Sequence, residues 1–177
     1  MSQPRFWREL HQLKVQTLFI QKLLLRAERS ERWTKITFAI TSSTSIGAWV
    51  IWQEWAWIWG AIIAASQVLY AIYPHLPYRD RLKIYSSILR DFEYLFIDAE
   101  DEWQSVSDGS MSNKQINKAC LKLQRKKTAI LNKHMPNGVF PSNSKISSQA
   151  EREAESYFTY HYPIDESDES AESIQLS

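Results

Sequence analysis

A chain of 177 residues has the length of one ordinary domain, and 44% hydrophobic with 23% charged residues is the composition of a globular protein. Its lone cysteine, Cys120, excludes an intrachain disulfide, so folding does not depend on oxidation. The net charge of +1 conceals a very uneven distribution, and that distribution carries most of the information.

In the N-terminal segment, Phe6, Leu10, Leu13, Thr17, Ile20 and Leu24 recur at alternating spacings of four and three, which predicts an amphipathic helix with a heptad face. From Ile36 to Gln53 there is no ionisable side chain, and after Glu54 there is again none from Trp55 to Tyr73. Each run approaches the ~20 residues that cross a ~30 Å hydrocarbon core as a helix, and the two together are far too long for one crossing. The expectation is therefore a transmembrane hairpin of two spans. The alternative is a soluble protein with a buried helical hairpin. Neither run reads as a signal peptide, because a long charged segment precedes the first.

Arg26, Arg29, Arg32 and Lys35 precede the first run, and Arg79, Arg81 and Lys83 follow the second. The positive-inside rule then places both termini in the cytoplasm and the turn at Gln53 and Glu54 outside. Trp49, Trp52, Trp55, Trp57 and Trp59 near the turn, and Trp33, Tyr70, Tyr73 and Tyr78 near the basic ends, suit two interfacial belts. Glu54 at the centre of a span would cost about 2.5 to 3.5 kcal/mol, which also favours the turn.

The first run carries three threonines and three serines in ITFAITSSTSIGA. Such hydroxyls can bond back to a carbonyl one turn earlier, so one reading is close helix packing against Gly60 and Ala64 or Ala61 and Ala65. The other is a pore face formed by Thr37, Thr41, Thr44 or Ser45, and Ala48, with Gln67 as a polar position in the second run.

After Pro74 and Pro77 the heptad rhythm returns with Leu82, Tyr85, Leu89, Phe92, Phe96, Ala99 and Trp103. This seam needs a partner helix, from the N-terminal segment or from a neighbouring subunit. Asp108-Gly109-Ser110 signals a turn, and a further helix is predicted from about Ser112 to His134, with Ile116, Cys120, Leu123, Ile130 and Leu131 on its apolar face. Ser148 and Glu151 read as the capping box of a short last helix ending near Tyr160. The tail DESDESAESIQLS is acidic and polar, with the composition of a disordered segment. The expected organisation is thus a cytoplasmic helix over 1–35, the hairpin over 36–74, a cytoplasmic helical region over 75–162 and the tail over 163–177. In fold class this is an all-α membrane protein, oligomeric because one hairpin encloses nothing.

Candidate chemistry is sparse. The four histidines lack metal-ligand spacing, the four glycines form no phosphate-cradling loop, and Cys120 falls on a core face, so neither an enzyme nor a resident cofactor or metal is expected. Asp98, Glu100, Asp101 and Glu102 read as a solvated helix end. One feature stands out: Lys114, Lys118, Lys122 and Arg125 align on one helix face with Lys126 beside them, and no acid occurs between Lys114 and Lys145. That stripe is either a solvated or lipid-facing surface or a site for phosphates of a nucleotide or oligonucleotide.

RAERSERWTK leading into the first run, the QE turn, YAIYPHLPYRDR closing the second, and the later MPNGVFPSNSKISSQAEREAESYF together resemble the SLATT-type two-transmembrane effectors of bacterial nucleotidyltransferase systems. The resemblance implies an oligomeric pore or ion channel in the bacterial inner membrane, acting in antiphage defence. Its signal would be a nucleotide or oligonucleotide made by a partner nucleotidyltransferase and bound by the cytoplasmic helices. The rival reading is a non-conducting membrane-anchored adaptor.

Overall fold

The computed structural model describes residues 2–51, 57, 60, 61, 64, 65, 67, 68, 71, 78–136 and 138–163, with the backbone alone for 38, 40–51 and 78–80. Among them the fold is all-helical: α1 Gln3–Ile51, α2 Tyr78–Ser107, α3 Asn113–His134 and α4 Ser144–His161. The chain divides into two compact units, one of Met1–Lys22 with Ile88–Ser177 and the other of Leu23–Ser87.

In the first unit the heptad faces pack on one another. Phe6, Leu10, Leu13, Thr17 and Ile20 of α1 are buried, as are Ile88, Phe92, Leu95, Phe96, Ala99 and Val106 of α2. The helices run antiparallel, with Phe6 stacked on Trp103 at 6.1 Å and Lys14 Nζ 4.4 Å above the Phe96 ring. The partner that the α2 seam requires is thus the N-terminal segment of the same chain. Thr17, in the middle of the apolar face, donates its hydroxyl to Leu13 O at 2.8 Å and leaves no buried donor unpaired there.

α2 ends where Gly109 takes φ +71°, a conformation that suits a residue without a Cβ, and its N–H donates to Val106 O at 3.3 Å. α3 then starts at a capping box: Ser112 accepts from the Gln115 N–H, and the Gln115 side chain accepts from the Ser112 N–H at 2.8 Å. Phe6, Val106, Ile116, Ala119 and Cys120 form one core cluster, which ties the start of α1 to the α2–α3 corner. Gln3 Nε2 donates to Val106 O at 2.9 Å, and Ser2 bonds Asn113 at the same corner.

α4 buries Ile146, Ala150, Ala154 and Phe158, one residue per turn, and the two alanines allow a close approach. It starts earlier than the sequence signals suggest. The cap is Asn143, whose side chain accepts from the Ile146 N–H at 3.1 Å. Ser148 lies inside the helix and donates to Ser144 O at 2.8 Å, while Glu151 accepts from Ser147 at 3.2 Å. The capping box expected at Ser148 does not form because Asn143, a better placed cap, nucleates the helix one turn upstream.

In the second unit α1 continues unbroken to Ile51, as expected of a segment without proline. Among its described side chains only Leu23 and Tyr85 are buried. Trp57, Gly60, Ala61, Ala64, Ala65, Gln67, Val68 and Ala71 are helical and exposed.

The multi-pass inner-membrane placement, and with it the two-span hairpin, requires correction. Among the described residues no helix is long and apolar enough to cross a membrane. The physical reason lies in the first run itself: lacking charge is not the same as being apolar, and its six hydroxyl side chains dilute the hydrophobicity of the stretch from Ile36 onward. Most of the second run, including the turn at Gln53 and Glu54, lies outside the described residues.

Candidate functional site

The basic stripe on α3 occupies the outer face of the helix, opposite the buried Ile116, Ala119, Cys120 and Leu123. Four of its members, Lys118, Lys122, Arg125 and Lys126, rim a surface groove of about 730 Å³. Met111, Ala119 and Leu121 give it an apolar surface, and Glu102 contributes a carboxylate. Lys114, one turn before Lys118, does not line the groove.

The acids of α2 divide the stripe into two kinds of cation. Lys122 pairs with Glu102 at 3.4 Å, Lys126 with Asp98 at 2.8 Å and Lys133 with Asp91 at 3.2 Å, as an antiparallel ladder. Lys127 lies 4.0 Å from Glu9 of α1. Lys114, Lys118 and Arg125 are exposed, with no ion pair or hydrogen bond to any described residue. Exposed pairs of the ladder type stabilise a fold by only about 0.2–1 kcal/mol, so an incoming phosphate can take Lys122 and Lys126 from their carboxylates. At the far end of the ladder Asp91 also accepts from His134 Nε2 at 2.8 Å. That bond and the adjacent Lys133 hold the Asp91 carboxyl below the usual carboxylate range.

The ladder was not anticipated from the sequence, although its signal was there. Asp91, Asp98 and Glu102 are spaced seven and four, while Lys122, Lys126 and Lys133 are spaced four and seven. Two antiparallel helices bring such mirror-image spacings into register.

A second polar cluster was also missed. Glu100 accepts from the Tyr157 hydroxyl at 2.7 Å and from Tyr162 at 3.4 Å, and Lys14 Nζ sits 3.5 Å above the Tyr157 ring. Burial lowers the Lys14 ammonium pKa against the opposing pull of Glu100 and Glu93, and burial together with Glu100 pushes the Tyr157 and Tyr162 phenols up. The cluster clamps α4 onto α1 and α2 with one cation shared among aromatic faces.

Of the hydroxyl positions and Gln67, the structure describes the side chains of Thr37 and Gln67 alone. Thr37 is exposed on α1 and donates to Trp33 O at 2.9 Å, and Gln67 is exposed on a helical segment. Thr41, Thr44, Ser45 and Ala48 belong to α1, with side chains outside the described residues. Among the described residues no group of histidine, cysteine and carboxylate side chains could hold a metal. Cys120 is buried, and burial raises its thiol pKa, opposite to the shift that activates a nucleophile.

No protein-family model matches the chain, and comparison with curated proteins and with solved structures gives no match.

Proposed function

We propose that the unit built from residues 1–22 and 88–163 is a sensor for a phosphate-bearing ligand, a nucleotide or short oligonucleotide, held on the outer face of α3. The observation that carries this reading is the groove in which two unpaired cations, Lys118 and Arg125, stand beside two exchangeable ones, Lys122 and Lys126. Lys118 and Arg125 make the first contact. Lys122 and Lys126 then transfer from Glu102 and Asp98 to the ligand, and the apolar surface of Leu121 and Met111 lies under a base. The resemblance noted in the sequence supplies the setting, an effector that responds to a nucleotidyltransferase product. Self-association through the exposed apolar residues of Leu23–Ser87, such as Trp33 and Trp57, is the means by which the signal would be passed on. A conducting pore is not part of the proposal, because it needs spans that no described helix supplies.

The test is fluorescence anisotropy with a labelled short oligoadenylate, together with calorimetry on ATP. Lys118→Ala with Arg125→Ala is expected to weaken binding about tenfold or more. Glu102→Gln with Asp98→Asn, which releases the paired lysines, is expected to strengthen it. Binding that is indifferent to both pairs of substitutions defeats the proposal.

Leu121, 46% exposed among the cations, favours a second reading, a helical adaptor that docks an acidic protein partner on the same face. Leu121→Ser would abolish that docking, whereas it would weaken nucleotide binding less than Lys118→Ala with Arg125→Ala, because Met111 and the cations remain.

A further inference from the structure

The chain leaves α4 beside the candidate site. Tyr162, the first residue after α4, donates its hydroxyl to Glu100 at 3.4 Å, and its ring lies 5.2 Å from that of Trp7. It lines a cleft with Glu100 and Asp101 of α2 and with Asp108 just past the end of that helix. Met111, three residues beyond Asp108, already lines the α3 groove, and Glu102 of α2 lines it too. Three residues span at most about 11 Å, so the cleft and the groove are neighbours around the end of α2.

The sequence beyond Tyr162 is rich in one kind of charge. Asp165, Glu166, Asp168, Glu169 and Glu172 all fall within ten residues of it, and no lysine or arginine follows Arg152. In the cleft these acids would meet Glu100, Asp101 and Asp108, which repel them. The groove offers the opposite sign. Lys118 and Arg125 have no partner among the described residues, and Lys122 and Lys126 are held by exposed pairs that exchange readily. Single exposed cations elsewhere on the unit, Arg8 and Lys145 among them, offer one charge where the groove gathers four. Ten residues reach at most about 33–36 Å, and Lys118 and Arg125 are only about 10 Å apart along α3, so reach is ample. A tether this short gives an effective concentration of about a millimolar, at which individually weak contacts suffice to fill a site.

We propose that the acidic segment 165–172 docks on the α3 groove of its own chain and is displaced from it by the phosphate-bearing ligand. Docking requires only the cations of the groove, whereas the competition rests on the groove being the ligand site. The consequence for the sensor is a raised threshold. A groove occupied nine-tenths of the time by its own acids binds its ligand about tenfold more weakly than an empty one.

The test uses the full chain and a variant of the same length carrying Asp165→Asn, Glu166→Gln, Asp168→Asn, Glu169→Gln and Glu172→Gln. A zero-length carbodiimide joins carboxylates to amines that touch them, and peptide mass spectrometry locates the links. In low salt, segment 165–172 of wild type is expected to be joined to Lys118, Lys122 or Lys126, with a yield that falls severalfold when ionic strength is raised to about 0.5 M. In an equal mixture of isotope-labelled and unlabelled chains, the links are expected within one chain. Calorimetry with ATP reads the competition, and the neutralised variant is expected to bind about fivefold or more tightly than wild type. Absence of links to the groove lysines, a yield no higher than at exposed Lys145, or links mainly between chains overturns the docking. Links to the groove with equal ATP affinity in the two proteins overturn the competition. If neither protein binds ATP while the links persist, the docking stands and the ligand reading of the groove fails.

Discussion

Asp91 joins Lys133 and His134 at the end of the α2–α3 ladder, and its depressed pKa ties stability to pH in one direction. A carboxyl whose folded pKa lies below its unfolded value, about 3.9, contributes stability that is present above the unfolded value. That contribution is lost as pH falls through the folded value. Asp91→Asn is thus expected to lower the urea midpoint at neutral pH, and the gap from wild type should close below about pH 4. Midpoints measured from pH 7 downward check this, and a gap that stayed constant or widened in acid would remove the ladder end as its source. Little of this was legible beforehand, because a carboxylate's partners depend on which helix lies opposite. Phe6, Leu10 and Leu13 were legible, because burial on one face follows from spacing within a single helix.

Helix starts illustrate the same limit at the scale of an element. α3 begins where Ser112 and Gln115 satisfy each other's backbone donors, whereas α4 begins at Asn143, upstream of the better-looking pair Ser148 and Glu151. Both Ser-x-x-Glu and Ser-x-x-Gln fit a capping box, and local sequence does not rank them against a competing Asn one turn away. Stability separates them. Ser112→Ala and Asn143→Ala should each lower unfolding free energy by about 1 kcal/mol, since each removes an acceptor for an otherwise orphaned N–H. Ser148→Ala should change it by a few tenths at most, because that hydroxyl bonds back to Ser144 O and Lys145 O within the helix. Equal losses at Ser148 and Asn143 in chemical denaturation would contradict the assigned start of α4. The basic stripe shows how far element-level reading reaches into the candidate site. Its alignment on one face of α3 follows from the spacing of Lys114, Lys118, Lys122 and Arg125, while its division into paired and unpaired cations required the position of α2.

For the molecule as a whole, the decisive sequence feature is the pair of uncharged runs, and in the described part, the run from Ile36 in α1, absence of charge does not amount to a helix apolar enough to cross a membrane. The charged and heptad-patterned segments on either side carry the compact core instead. Every core contact described between α1 and α2 in the first unit joins positions at or before Lys22 to positions at or after Ile88. Antiparallel register also brings those two positions to the same end of the helix pair, as the meetings of Phe6 with Trp103 and of Lys14 with Phe96 imply. A chain in which Lys22 is joined to Ile88 by a short Gly/Ser linker should therefore keep the buried set of the first unit, losing only Leu23 and Tyr85 from the buried residues of α1 and α2. It is expected to be helical by circular dichroism and to unfold cooperatively in urea, with hydrophobic burial as the main stabilising term. Closing the chain through a short loop in place of the intervening residues adds little entropic penalty. If the joined chain instead binds a hydrophobic dye and melts without a sigmoidal transition, the core depends on Leu23–Ser87 for more than connection. A cooperative transition would place the α3 groove on an autonomous helical unit, and ligand binding could then be measured apart from any self-association of the exposed apolar residues of Leu23–Ser87.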